Sequence, residues 1–149
     1  MTYLLLVEDS ETDELLTCRV LASHLDIDVI VVRDGAAALD FMSARGAWAA
    51  RPTELPKVVL LDLNLPKVSG LDVLRAIRSS PETALLPVVV LTSSAEDVDL
   101  VDGYARGANS YVVKPVDFDD FAEAVARLGV YWNHVDHGLQ PTAEPARLR

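Results

Sequence analysis

The chain has 149 residues, and its 13 basic and 23 acidic side chains give a formal net charge of −10. This length fits one domain, and because half of the residues are apolar, the chain can bury a core without disulfides. The single cysteine, Cys18, excludes an internal disulfide, and the acidic balance argues against nucleic acid as the main partner. No apolar run approaches the roughly 20 residues that span a bilayer. The first apolar run has no basic residue before it and ends at Glu8 and Asp9, so we do not expect it to be a signal peptide. We therefore expect a cytoplasmic protein without a membrane or nucleic-acid partner.

Five short apolar runs rich in Val, Leu and Ile alternate with amphipathic segments, which is typical of strands buried on both faces and separated by helices. In the first amphipathic segment, Leu15, Cys18, Ala22 and Leu25 recur at steps of three and four, so we expect them to form one helical face. This alternation predicts a (βα)5 domain with a parallel sheet and helices on both faces. The five predicted strands are Tyr3–Val7, Val29–Val32, Val58–Leu61, Val88–Leu91 and Ser110–Val113.

Capping residues mark where the helices should begin. Ser10, Ser94 and Asp117 each precede an aspartate by three residues, in a pattern like a capping box. The last helix is expected to run from near Phe118 to His137. The sequence thus predicts a single domain over residues 1–137 and a tail over residues 138–149 that lacks a fold of its own.

Polar side chains follow four of the predicted strands. Glu8 and Asp9 come directly after the first strand, and Asp62 ends the third. Thr92 and Lys114 follow the fourth and fifth strands. Since ligands of open parallel sheets bind at the carboxyl ends of the strands, these five side chains are the candidate site.

The charges of these residues indicate a divalent cation. Three carboxylates bring −3 and Lys114 returns +1, so a doubly charged ion would make the sum zero. Mg2+ prefers carboxylate, water and phosphate oxygens, and a metal beside a carboxylate and a lysine is suited to phosphoryl transfer. Asp62 would then be the nucleophile, and Thr92 and Lys114 would contact oxygens of the arriving group.

Five motifs in this order resemble a bacterial two-component response regulator receiver domain, and the resemblance covers about residues 3–131. It implies a flavodoxin-like, doubly wound, five-stranded parallel sheet of order 2-1-3-4-5. The sequence is more specifically similar to the small stand-alone regulators paired with phytochrome-type histidine kinases. They share the run Leu61–Lys67, the lengthened segment Arg45–Lys57 before the third strand and a long aromatic last helix. The motifs are Val7–Ser10, Leu61–Pro66, Gly70, Leu91–Ser94 and Tyr111–Pro115.

This resemblance implies the roles of the acidic residues. A sensor histidine kinase, here a bacteriophytochrome, would transfer a phosphoryl group to Asp62. The Mg2+ ligands would be Glu8, Asp9, Asp62 and the backbone carbonyl of Asn64. The domain would act on no separate substrate and would catalyse only its own Mg2+-dependent phosphorylation and dephosphorylation.

The resemblance also implies which residues respond to phosphorylation and which residues influence its hydrolysis. Thr92 would move toward the phosphoryl group, and Tyr111 would switch between exposed and buried rotamers. Asn64 and Ser94 correspond to positions that tune the hydrolysis rate. The Lys114–Pro115 peptide bond would be cis.

The output is expected to be altered partner binding or dimerisation, because no DNA-binding domain is recognisable in the sequence. The resemblance implies a homodimer through the predicted fourth helix, the fifth strand and the last helix, with Phe121, Tyr131 and Trp132 on the dimer face. The alternative is that Trp132 folds back over the core. The segment Arg45–Lys57 is open between kinase docking and a plain loop.

Two other functions compete with this interpretation. The first is an aspartate-nucleophile phosphohydrolase, but such enzymes place a second aspartate two residues after the nucleophile, where this chain has Asn64. The second is a flavodoxin-like electron carrier. The acidic run Glu8–Glu11 would repel the phosphate of a flavin, and the chain has no glycine-rich phosphate loop.

Overall fold

A computed structural model of the chain describes residues 3–93 and 107–126. The predicted helix after Ser94, the continuation of the last helix to His137 and the domain boundary there lie outside the described residues. None of the described helices is long and apolar enough to cross a bilayer.

The strands are β1 (Tyr3–Val7), β2 (Asp28–Val32), β3 (Val58–Asp62), β4 (Val88–Thr92) and β5 (Ser110–Val113). The helices are α1 (Glu11–His24), α2 (Gly35–Met42), α3 (Gly70–Ser79) and a C-terminal helix (Phe118–Ala126), with a 3-10 turn at Gly46–Trp48.

The five strands form one sheet of order β2-β1-β3-β4-β5, and every neighbouring pair is parallel. The predicted fold class is therefore confirmed. Since all strands run the same way, their carboxyl ends meet at a single edge of the sheet, which we call the carboxyl edge.

The hydrophobic core lies in two layers, one on each face of the sheet. Alternate side chains of each strand point to opposite faces. Leu4 and Leu6 of β1 therefore pack toward α1 and the C-terminal helix, whereas Leu5 and Val7 pack toward α2 and α3. Every residue of β1, β3 and β4 is buried, so these strands are covered on both faces of the sheet.

The predicted apolar face of α1 is confirmed for Cys18 and Leu25, which pack on the core, but it is wrong for Leu15 and Ala22. Leu15 is 65% exposed, and Ala22 is exposed as well, whereas Thr17, Leu21 and Leu25 are buried against the sheet. The buried stripe is thus shifted around the helix, and a threonine takes one of its central positions. The two leucines Leu15 and Leu16 are left on the surface of the protein.

The fifth strand is not buried on both faces as the sequence suggested. Ser110 and Val112 are buried, but Tyr111 and Val113 are 42% and 40% exposed. The reason is the position of β5 at the edge of the sheet, where an alternating pattern replaces a continuous apolar one.

The segment Arg45–Lys57 packs on the core at the end of the sheet opposite the carboxyl edge. Trp48 meets the ring of Phe41 edge-to-face, with the centroids 5.1 Å apart. The Arg51 guanidinium donates to the backbone carbonyl of Phe41 at the end of α2. These contacts make the segment a cover for the start of the sheet.

Candidate functional site

Three carboxylates converge at the carboxyl edge. Glu8 and Asp9 directly follow β1, and Asp62 is the last residue of β3, the strand beside β1. One oxygen of each lies within 4.8 Å of an oxygen of the other two. Glu8 is fully buried and Asp62 is 3% exposed, whereas Asp9 faces solvent. The structure therefore brings together the acidic residues that the sequence singled out.

Lys114 reaches this cluster from the end of β5. Its Nζ donates hydrogen bonds to Asp62 Oδ2 and to Asp13 Oδ2, both at 2.9 Å, and forms an ion pair with Glu8 Oε1 at 2.7 Å. Sequence reasoning treated Asp13 only as part of a helix cap and missed this contact. Asp13 and Lys114 are 101 positions apart in the sequence, so no local pattern pointed to the contact.

The electrostatics of the cluster follow from burial and mutual contact. Burial, together with the neighbouring Asp62 carboxylate, raises the pKa of Glu8 to about 7, and Lys114 only partly opposes that shift. Burial also disfavours the charged ammonium of Lys114. The contacts with Glu8, Asp13 and Asp62 outweigh this cost and raise the pKa of Lys114 above its ordinary value. The lysine is thus a permanent positive charge at neutral pH.

The backbone after β3 fixes the orientation of Asp62. The amide N–H of Asn64 donates to Asp62 Oδ1 at 3.0 Å, so one carboxylate oxygen is held by the loop and the other by Lys114. Gly70 begins α3 against this loop, and a Cβ there would lie 2.3 Å from the carbonyl oxygen of Asp62. Only glycine permits so close an approach, which explains why this residue follows the acidic motif.

The two predicted switch residues lie on neighbouring strands, Thr92 at the end of β4 and Tyr111 in β5. Thr92 is fully buried at the end of β4, and its carbonyl accepts the backbone N–H of Lys114 at 2.7 Å. The Tyr111 side chain is 42% exposed. The predicted cis peptide bond between Lys114 and Pro115 is confirmed.

The expectation for Phe121 is wrong. Its side chain is fully buried in the core layer beneath the C-terminal helix, so it is not available to a second subunit. The other predicted dimer residues, Tyr131 and Trp132, and the predicted tuning residue Ser94 lie outside the described residues.

The donor set fits a hard divalent cation. Within the described part of the chain, the buried Oε1 of Glu8 accepts no hydrogen bond, although the ammonium of Lys114 is close. That ammonium is shared with Asp13 and Asp62, so a divalent cation beside Glu8 would further offset the charge of this buried carboxylate. Mg2+ takes oxygen ligands and is commonly held by one or two carboxylates, with water and phosphate oxygens completing its coordination.

A parallel sheet of this strand order with acidic side chains and a lysine at its carboxyl edge is the architecture of a phosphoryl-accepting signalling domain. The sequence matches the family model of the response regulator receiver domain over residues 4–126. The chain therefore belongs to the response regulator receiver family, and it is a signalling protein of two-component systems.

The chain is similar to two regulators, one of which is compared both by sequence and by its solved structure. Response regulator Rcp1 of Synechocystis sp. is 38% identical over 130 residues, which are 87% of each chain. The structure of the bacteriophytochrome response regulator RtBRR is 51% identical with a TM-score of 0.83, over 89% of this chain and 81% of that one. The Mn(2+)-bound form of Rcp1 is 34% identical with a TM-score of 0.70, over 95% and 99% of the two chains. The predicted kinship with phytochrome response regulators is confirmed.

Proposed function

We propose that the chain accepts a phosphoryl group on Asp62 from a histidine kinase in a Mg2+-dependent reaction. An Asp62 carboxylate oxygen attacks phosphorus, the P–N bond to the kinase histidine breaks, and its electron pair leaves with the imidazole. The observation that carries this proposal is the buried Asp62 carboxylate, held by the Asn64 N–H on one oxygen and by Lys114 on the other.

The surrounding residues have distinct roles in this proposal. Glu8, Asp9, Asp62 and the backbone carbonyl of Asn64 hold Mg2+, which when bound neutralises charge on the phosphoryl oxygens. Lys114 donates to a phosphoryl oxygen, because its ammonium already lies 2.9 Å from the carboxylate that is modified. The support for Mg2+ is the acidic cluster and the divalent cation of the related Rcp1.

Radiolabelled acetyl phosphate is the direct test, because it needs no kinase. With Mg2+, the chain should take up a label that hydroxylamine removes, as expected of an acyl phosphate, and peptide mapping should place it on Asp62. Absence of label in the presence of Mg2+ would contradict the proposal. Steady turnover of a chromogenic phosphate ester would instead favour the phosphohydrolase alternative.

The surface beside Lys114 suits the domain of the kinase that carries the phosphohistidine. Leu16 and Pro115 flank Lys114 in one shallow depression, and Leu15 and Leu16 are 65% and 40% exposed. The phosphorus must come within bonding distance of Asp62, so the kinase has to cover the surface next to this site. Exposed apolar side chains at that place give it a contact area.

We expect Leu16→Ala to lower kcat/KM for phosphotransfer from the kinase about tenfold, which corresponds to about 1.4 kcal/mol of lost contact. Labelling by acetyl phosphate should stay at the wild-type rate, because Leu16 is outside the carboxylate cluster. Leu85→Ala is the matched control, since Leu85 is 94% exposed and lies before β4, at the opposite end of the sheet. An equal loss in both variants would argue against this docking surface.

The kinase partner in this proposal is of the phytochrome type, and the support is the 51% identity to a bacteriophytochrome response regulator. Phosphorylation changes the charge of Asp62 from −1 to about −2. Thr92 and Tyr111 respond to the added oxygens, and the surface around β5 changes with them. The output is altered partner binding or dimerisation.

Sedimentation velocity over a concentration series tests the dimer. We expect a monomer–dimer equilibrium in the unphosphorylated protein. The dissociation constant of the dimer should change when acetyl phosphate and Mg2+ are added. Because Tyr111 and Val113 expose apolar surface on β5, Tyr111→Ala should weaken the dimer. A monomer at every concentration in both states would leave partner binding as the only output.

A further inference from the structure

Asp13 touches the lysine of the site although the two residues are 101 positions apart in the sequence. Its backbone N–H donates to Ser10 Oγ at 3.2 Å, so the helix cap fixes its place in the first turn of α1. From there, Asp13 Oδ2 accepts a hydrogen bond from Lys114 Nζ at 2.9 Å. Helix α1 thus presents a carboxylate to the site in addition to those at the strand ends.

The ammonium of Lys114 is shared between the phosphoacceptor and a residue with no part in phosphoryl transfer. It donates to Asp62 and to Asp13 at the same distance, 2.9 Å, and it pairs with Glu8 at 2.7 Å. An ammonium has only three N–H donors. A phosphoryl group on Asp62 brings further oxygens, and Lys114 can donate to one of them only if it gives up part of an existing contact.

Asp13 is the contact that Lys114 can release most cheaply. The Asp13 side chain is 39% exposed, so water can replace the lysine there. The Glu8 side chain is fully buried, and leaving its charge without a partner would be costly. Exchange of Lys114 between Asp13 and a phosphoryl oxygen is therefore the favoured rearrangement.

We propose that Asp13 is a positioning residue that holds Lys114 toward α1 in the free protein and competes with the phosphoryl oxygens for its N–H donors. This inference rests on the proposed phosphorylation of Asp62. In this role, Asp13 weakens the binding of a phosphoryl group to the site, so its removal should raise that affinity. Removing a residue that only supported the fold would leave the affinity unchanged or lower it.

Beryllofluoride, a stable mimic of the phosphoryl group, tests the competition at equilibrium. With saturating Mg2+, the bound fraction is measured by 19F NMR. We expect Asp13→Asn to lower the Kd for beryllofluoride about three- to fivefold, in line with the modest strength of partly exposed ion pairs. Asp13→Glu, which keeps the charge, should remain near the wild-type Kd.

Glu11→Gln is the matched control, because Glu11 is exposed in the same helical turn and its substitution also removes one negative charge. Its Kd should equal that of the wild type. An unchanged or higher Kd for Asp13→Asn, or an equal decrease for Glu11→Gln, would overturn the role of Asp13. Failure of the wild type itself to bind beryllofluoride would instead contradict the proposed function, so the two failures are distinguishable. Urea unfolding of each variant checks that the fold is retained.

Discussion

Replacing Asp62 by asparagine should reduce phosphoryl incorporation at least about 100-fold, to the background level. A neutral amide is a far weaker nucleophile than a carboxylate, and the substitution also removes one charge from the acidic cluster. The expected result is the same with acetyl phosphate and with the kinase as donor, because both use the same acceptor oxygen. Incorporation is measured with radiolabelled donors after a fixed time.

The fold should tolerate this change. An asparagine can keep the hydrogen bond from the Asn64 N–H, and Lys114 retains its contacts with Glu8 and Asp13. We therefore expect the free energy of unfolding to change by only about 1 kcal/mol. Asp34→Asn is a matched control, since Asp34 caps α2 through a hydrogen bond from the Ala37 N–H and asparagine caps as well.

Residual label would be informative because other carboxylates are near. If Asp62→Asn took up label at the wild-type rate and mapping placed it on Asp9 or Asp13, the assignment of the phosphoacceptor would be wrong. The test therefore includes peptide mapping of the variant as well as of the wild type.

The sequence was sufficient for the sheet and for the convergence of the site. Short apolar runs mark strands buried on both faces, and parallel strands bring their carboxyl ends to one edge. That rule alone predicts that Glu8, Asp62 and Lys114 lie close together. The strand order was not derivable in this way and came from the resemblance to receiver domains.

Other features depend on tertiary packing that no local pattern records. The face of α1 was misjudged because steps of three and four fit more than one stripe, and the buried stripe includes Thr17, which a hydrophobicity pattern disregards. The contact between Asp13 and Lys114 joins residues 101 positions apart, and it forms because the first turns of α1 lie beside the residues that follow β5. Phe121 lies on an apolar helical face, and the sequence does not say whether that face meets the core or a partner.

The burial of Glu8 predicts a large effect of pH on stability. Burial raises the pKa of Glu8 to about 7 from its ordinary value of 4.5. Between these two pH values, the folded protein holds a proton that the unfolded chain has lost, so the stability of the metal-free protein falls as the pH rises from about 4.5 to about 7. Above pH 7 the full cost of about 3 kcal/mol is present, since one pKa unit corresponds to about 1.4 kcal/mol.

Glu8→Gln isolates this cost, because glutamine resembles the protonated acid and stays neutral at every pH. In EDTA at pH 8 we expect the variant to be more stable than the wild type by about 2–3 kcal/mol, with the difference disappearing toward pH 5. Lys114 stays paired with Asp13 and Asp62, so no buried charge is left alone. Urea unfolding at several pH values provides the measurement, and the exposed Glu11→Gln, which should show no such difference, is the control.

The same substitution should reverse its effect when Mg2+ is added. A ligand that binds the folded state stabilises it according to its concentration relative to Kd, so the wild type should gain stability with Mg2+ and Glu8→Gln should gain little. The charge that destabilises the metal-free protein is then the charge that binds the cation. If Glu8→Gln were no more stable than the wild type in EDTA at pH 8, the buried charge of Glu8 would not destabilise the metal-free protein, and this prediction would be wrong.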